Sequence, residues 1–175
     1  MDSRSTQNHR SKTSGGPNVG INPLDLRQYD LARAGYETAI ALAPDYILPC
    51  VNLGVTLSLM GHFSEALAHY RNGLKIDPND IKSIIYIGNA LQFKGDYEAA
   101  VESYRNAIAL APDCAEAHNN LGNALENQGN LQAAVTSYTQ ALVCEPKNEQ
   151  NQNNLTCARQ QLGATCSSKN PTDKQ

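Results

Sequence analysis

The residues in this chain best equipped for chemistry are amides. In the stretch 118–130, "HNNLGNALENQGN", Asn119, Asn123 and Asn127 stand four residues apart and share one face if the segment is helical. A primary amide donates and accepts hydrogen bonds, so a row of them can pair with the N–H and C=O groups of an extended peptide. Asparagine is a mediocre helix former that competes for backbone hydrogen bonds, which makes the row costly unless the amides serve a surface. Other chemistry is sparse. His9, His62, His69 and His118 have no Ser, Cys or carboxylate set out as nucleophile, base and orienter, so no catalytic residue is expected. His118 reads as a packed residue, and His62 and His69 as solvated ones. The five cysteines show no paired metal-ligand spacing, and an odd count without a secretion signal suggests free thiols. No metal and no cofactor is expected, and no enzyme activity.

Charge and hydropathy bound the partners. A formal charge of −3 with interspersed signs lacks the basic stripe that phosphate binding needs, so no nucleic-acid partner is expected. No apolar run reaches the roughly 18 residues of a membrane span, and the first residues lack the apolar centre of a signal peptide. The expectation is a cytoplasmic protein with no membrane partner.

The elements that would position the amides repeat. Pro44, Pro78, Pro112 and Pro146 recur every 34 residues, as do Tyr36, Tyr70, Tyr104 and Tyr138. Gly54, Gly88 and Gly122 keep the same step, and so do Gly61, Gly95 and Gly129, and Ala66, Ala100 and Ala134. Each unit reads as a helical hairpin. A first helix carries the stripe His118, Leu121, Gly122, Leu125 in the third unit; Gly129 turns the chain; Ala134, Tyr138, Ala141 and Leu142 line a second helix; Pro146 ends it. Small Gly and Ala let the two backbones approach, with the Tyr filling the gap, and stacked neighbours share the core.

The pattern L-G-x-x-L…A-x-x-x-Y…A…P at this step resembles the tetratricopeptide repeat family. The resemblance implies an all-α, right-handed solenoid of stacked helix-turn-helix units at 47–80, 81–114 and 115–148. Upstream, residues 22–46 match only a second helix, read as one long helix from about Pro23 to Ala43, with Asn22 as N-cap and Pro23 at the first position. Downstream, 149–162 reads as a capping helix with Leu155, Ala158 and Leu162 inward and a polar outer side. Residues 1–21 and 163–175 are expected to be disordered tails. Bare apolar positions on the N-terminal helix, including Leu24, Leu31 and Ile40, suggest weak self-association or a partner contact there.

In this family the first helices line a concave groove, which implies a protein or peptide partner. Carried over by register, the groove residues are Val51, Asn52, Val55 and Leu59, then Lys82, Ile85, Tyr86, Asn89 and Phe93, then Asn119, Asn120, Asn123 and Asn127, and finally Asn154. The amide row is similar to the asparagine ladder in the repeat arm of O-linked GlcNAc transferases, which holds substrates through their backbones. The expected function is therefore a non-enzymatic scaffold holding an extended segment, with Asn120 and Asn123 pointing away from the core. The alternative is a separated arm of such a glycosyltransferase. Members that grip the carboxylate ends of heat-shock chaperones use two cations in the groove; here Lys82 is the one placed there, so that mode is not expected.

Overall fold

The computed structural model describes residues 23–168, with side chains placed from 27 to 164. The chain runs through α1 (Pro23–Leu42), α2 (Ile47–Leu59), α3 (Phe63–Ile76), α4 (Ile81–Phe93), α5 (Tyr97–Leu110), α6 (Ala115–Asn127), α7 (Leu131–Cys144) and α8 (Glu149–Ser168), with no strand among the described residues. Each helix packs on its neighbours in sequence, and only α2 with α4 and α4 with α6 touch across that order appreciably. It is an all-α solenoid in which α2–α3, α4–α5 and α6–α7 are the hairpins.

Local chemistry marks many of these boundaries. Gly61, Gly95 and Gly129 follow the first helices with φ of 81°, 82° and 79°, the left-handed region in which a Cβ clashes with the backbone. Past each glycine the chain doubles back: the amides of His62, Asp96 and Asn130 donate to the carbonyls of Leu57, Leu91 and Leu125 at 2.8, 3.0 and 2.8 Å. That satisfies carbonyls the helix end would otherwise leave orphaned. Asp96 and Asn130 then cap the second helices through Ala99 N and Ala133 N, both at 3.3 Å, and Asp80 caps α4 through Ser83 N at 2.8 Å. Pro44, Pro78, Pro112 and Pro146 each stand two residues beyond a second helix, where a missing N–H breaks no helical bond.

The hairpins close on a tyrosine seated against a glycine. A Cβ built on Gly54, Gly88 or Gly122 would sit 2.4–2.5 Å from Cε1 of Tyr70, Tyr104 or Tyr138. Ala66, Ala100 and Ala134 on the second helices are wholly buried beside them. One feature departs from expectation. The last helix continues through Gly163 to Ser168 instead of ending at Leu162, because no proline intervenes before Pro171, so 163–168 is helix. Asn22, expected as the cap of α1, and the expected tails 1–21 and 169–175 lie outside the described residues, as does the side chain of Leu24.

Candidate peptide-binding groove

The candidate side chains stand on the first helices α2, α4, α6 and α8. Leu59 and Phe93, in the last turns of α2 and α4, are 56% and 52% exposed. Phe93 stacks on Phe63 of the preceding hairpin, ring centroids 5.2 Å apart and planes 14° from parallel. Asn52, Lys82 and Asn127 are also exposed; Val55, Tyr86, Asn89, Asn119, Asn120, Asn123 and Asn154 are half-buried. Val51 and Ile85 differ from the sequence reading. At 6% and 2% exposed they belong to the core, so a ligand lying on this face cannot touch them without repacking. They stand one helical turn before Val55 and Asn89, inside the shared core.

The amides are bound to one another and to the core tyrosines. Tyr104 OH donates to Asn89 Oδ1 at 2.7 Å and toward Gln92 Oε1 at 3.2 Å. One unit on, Tyr138 OH donates toward Asn123 Oδ1 and Glu126 Oε2, both at 2.7 Å. In the first hairpin the equivalent of these amides is Val55, and Tyr70 OH lies 3.2 Å from Ser58 Oγ instead. Burial, foremost, raises the pKa of all three phenols, and the Glu126 carboxylate raises that of Tyr138 further, so they are neutral donors at physiological pH. The expectation that Asn123 points clear of the core is therefore corrected: its carbonyl is an anchor for a buried phenol.

Further bonds cross between units. Asn120 Nδ2 donates to Asn89 Oδ1 at 3.1 Å, Asn154 Nδ2 to Asn119 Oδ1 at 2.8 Å, and Gln161 Nε2 to Glu126 Oε1 at 2.7 Å. Where a later unit has Asn120 or Asn154, α4 has Tyr86, whose ring lies 5.5 Å from that of Tyr70. Asn52, at the same register, makes no side-chain hydrogen bond among the described residues. Because the tyrosines hold the Oδ1 atoms of Asn89 and Asn123, the Nδ2 groups of both lack a protein partner among the described residues and are left to donate outward.

Sequence reasoning missed Gln92, Glu126 and the hydrogen-bonding role of the phenols. The signal was present, since Asn89 precedes Tyr104 by the same 15 residues that separate Asn123 from Tyr138. His118 is buried with Nε2–H donating to Pro112 C=O at 2.9 Å, the packed role its spacing suggested. Among the described residues no group of three His, Cys, Asp or Glu is placed to hold a metal, and no helix is long and apolar enough to cross a membrane.

Fold and site define a class: a stack of helical hairpins whose first helices present a mixed aromatic and amide face. Two family models described as tetratricopeptide repeat match residues 49–80 and 87–149, together more than half of the chain. The chain belongs to the tetratricopeptide repeat family. No curated protein matches it in sequence. Among solved structures it is similar to one described as "Crystal structure of MamA", with a TM-score of 0.71 and 20% identity over 82% of this chain and 86% of that one. It is also similar to "First TPR of Spaghetti (RPAP3) bound to HSP90 peptide SRMEEVD", with a TM-score of 0.64 and 24% identity over 67% of this chain and 93% of that one. At these identities the likeness is one of fold.

Proposed function

We propose that the protein is a non-enzymatic scaffold that holds an extended segment of a partner protein against the first-helix face. The observation that carries this reading is the pair Asn89 and Asn123, whose carbonyls are tied down by Tyr104 and Tyr138 and whose Nδ2 donors are left over at the same register of successive units. Held amides of this kind have little orientational freedom to lose when they meet the carbonyls of an extended chain. Next to them Leu59 and Phe93 offer apolar area to one or two large side chains of the same segment. A peptide-bound structure among the similar folds supports a peptide ligand for this one. That peptide is acidic, whereas the charged side chains among the first-helix residues described above are Lys82 and Glu126, one of each sign, so a neutral segment is the better match. Neutral hydrogen bonds contribute about 0.5–1.5 kcal/mol each, which points to micromolar affinity and weak salt dependence. The glycosyltransferase-arm alternative rests on the sequence resemblance alone.

The test is selection from a displayed library of extended peptides by the full chain. Wild type should enrich uncharged sequences with a large apolar residue. Phe93→Ala should lose that apolar preference, and Asn120→Ala should weaken binding with helicity unchanged, because Asn89 Oδ1 keeps its bond from Tyr104. Enrichment that neither variant alters would place the binding face elsewhere and refute the reading.

A further inference from the structure

The two ends of the stack are unequal halves of one hairpin. Helix α1 has the register of a second helix: Ala32, Tyr36 and Ala39 stand 34 residues before Ala66, Tyr70 and Gly73. In α5 and α7 the matching stripes, Ala100–Tyr104–Ala107 and Ala134–Tyr138–Ala141, are fully buried beneath their own first helices. In α1 the stripe has no first helix over it among the described residues, and Ala32, Tyr36 and Ala39 are only half-buried. Beside it Leu31, at the register of the partly buried Ala99 and Ala133, is 68% exposed.

The three internal hairpins show what such a stripe accepts. Each is covered by a helix reading apolar-Gly-x-x-Leu: Leu53-Gly54 to Leu57, Ile87-Gly88 to Leu91, and Leu121-Gly122 to Leu125. The glycine is obligatory in this geometry, because any Cβ there falls within 2.5 Å of the tyrosine ring. At the other end α8 has the register of a first helix, and no second helix follows it among the described residues. It reads Leu155-Thr156-x-x-Arg159. A head-to-tail chain of copies would seat α8 of one molecule on α1 of the next, an open, non-closing contact of the kind that builds fibres. Thr156 would then put its Cβ into the Tyr36 ring, and Arg159 would bring a charge to a site that the internal hairpins fill with buried leucine.

We propose that the open stripe of α1 is a docking surface for a single helix of apolar-Gly-x-x-Leu type presented by another polypeptide, and that Thr156 and Arg159 bar the chain's own last helix from it. The surface continues an interface that the molecule already builds three times, which fixes the chemistry of the occupant: glycine over Tyr36, with an apolar residue before it and leucine three after. It is separate from the peptide face, which uses the outer side of the first helices.

The test converts the barred helix into the accepted one. Sedimentation equilibrium on the full chain should find wild type monomeric. Thr156→Gly/Arg159→Leu should self-associate at least about tenfold more tightly than Arg159→Leu alone, which adds the same apolar side chain but keeps the threonine. Ala32→Glu in the double-variant background should return it to monomer. Circular dichroism confirms that each variant remains helical. Wild type already associating through Ala32 would overturn the proposal by showing that α8 is accepted despite Thr156. A folded double variant that stays monomeric would overturn it too, and so would equal association of Arg159→Leu alone.

Discussion

Gly88→Ala and Gly35→Ala make the same chemical change inside two helices and should move stability in opposite directions. At Gly88 the new methyl would meet Tyr104 at 2.5 Å from Cε1, 2.8 Å from Cζ and 2.9 Å from Cδ1, so the ring must retreat by about 1 Å to reach ordinary carbon–carbon contact. It has nowhere to go. Tyr104 is fully buried, and its hydroxyl is held by Asn89 and Gln92. Overpacking costs about 1–3 kcal/mol and disturbing the phenol bonds a further ~0.5–1.5 kcal/mol. Alanine returns roughly 1 kcal/mol of helix propensity, leaving a net loss of about 0.5–3.5 kcal/mol. At Gly35 nothing lies within 4 Å of the added methyl and φ is helical, so Ala should stabilise by about 0.4–1 kcal/mol. Urea denaturation followed by far-ultraviolet circular dichroism measures both. Tyr104→Leu should make the Gly88→Ala change less costly, giving a coupling of ~0.5 kcal/mol or more in a double-mutant cycle. If Gly88→Ala stabilises as Gly35→Ala does, the glycine is not there to seat the tyrosine, and the reasoning about Thr156 falls with it.

Other outcomes follow from single side chains. Ser83 Oγ is buried with no hydrogen-bond partner, so Ser83→Ala should raise the denaturation midpoint, by an amount on the order of 1 kcal/mol. It should also make room for Gly73→Ala, whose methyl would otherwise lie 3.3 Å from that oxygen, and the double variant should be the most stable of the set. Asn123→Ala should cost only ~0.5–1.5 kcal/mol in the same assay, because Tyr138 retains Glu126, whereas Asn123→Ala/Glu126→Ala should cost more than the two single changes summed. His69 has its pKa lowered chiefly by burial, with Glu37, Arg33 and Glu65 as the charges that act on it. The folded state thus disfavours its protonated form, the unfolded chain binds more protons as pH falls through the ordinary histidine range, and stability should decline below about pH 6.5. His69→Gln should flatten that part of a stability–pH profile.

How much of this was legible in the sequence depends on whether a feature is local. Gly61, Gly95 and Gly129 announce turns because φ near +80° is a property of one residue, and the prolines announce ends for a similar reason. The Tyr–Gly contact was readable as a tight approach because both members recur in step. The fate of the amides was not. Spacing puts Asn119, Asn123 and Asn127 on one helical face, but which of them meets a phenol depends on the crossing of two helices. Asn127 stays exposed with its Nδ2 on Asn123 C=O, while Asn123 anchors Tyr138. Val51 and Ile85 were misplaced because a residue at the edge of a helical stripe is buried or exposed according to its neighbour's tilt, which periodicity does not encode. The end of α8 was drawn at Leu162 where apolar spacing fades, yet a helix needs only the absence of a stop signal to continue.

The strictly sequential packing of the helices has a mechanical consequence. With nearly all contacts made between helices adjacent in the chain, a pull on the ends of the stack meets no distant strand or loop clamping the middle among the described residues. Load would be borne by one hairpin seam at a time, and α1, with no first helix over its tyrosine stripe among the described residues, would peel away first. Under force the molecule should therefore lengthen in small steps, one hairpin each, with the amide bonds from Asn120 to Asn89 and from Asn154 to Asn119 acting as the rivets between steps.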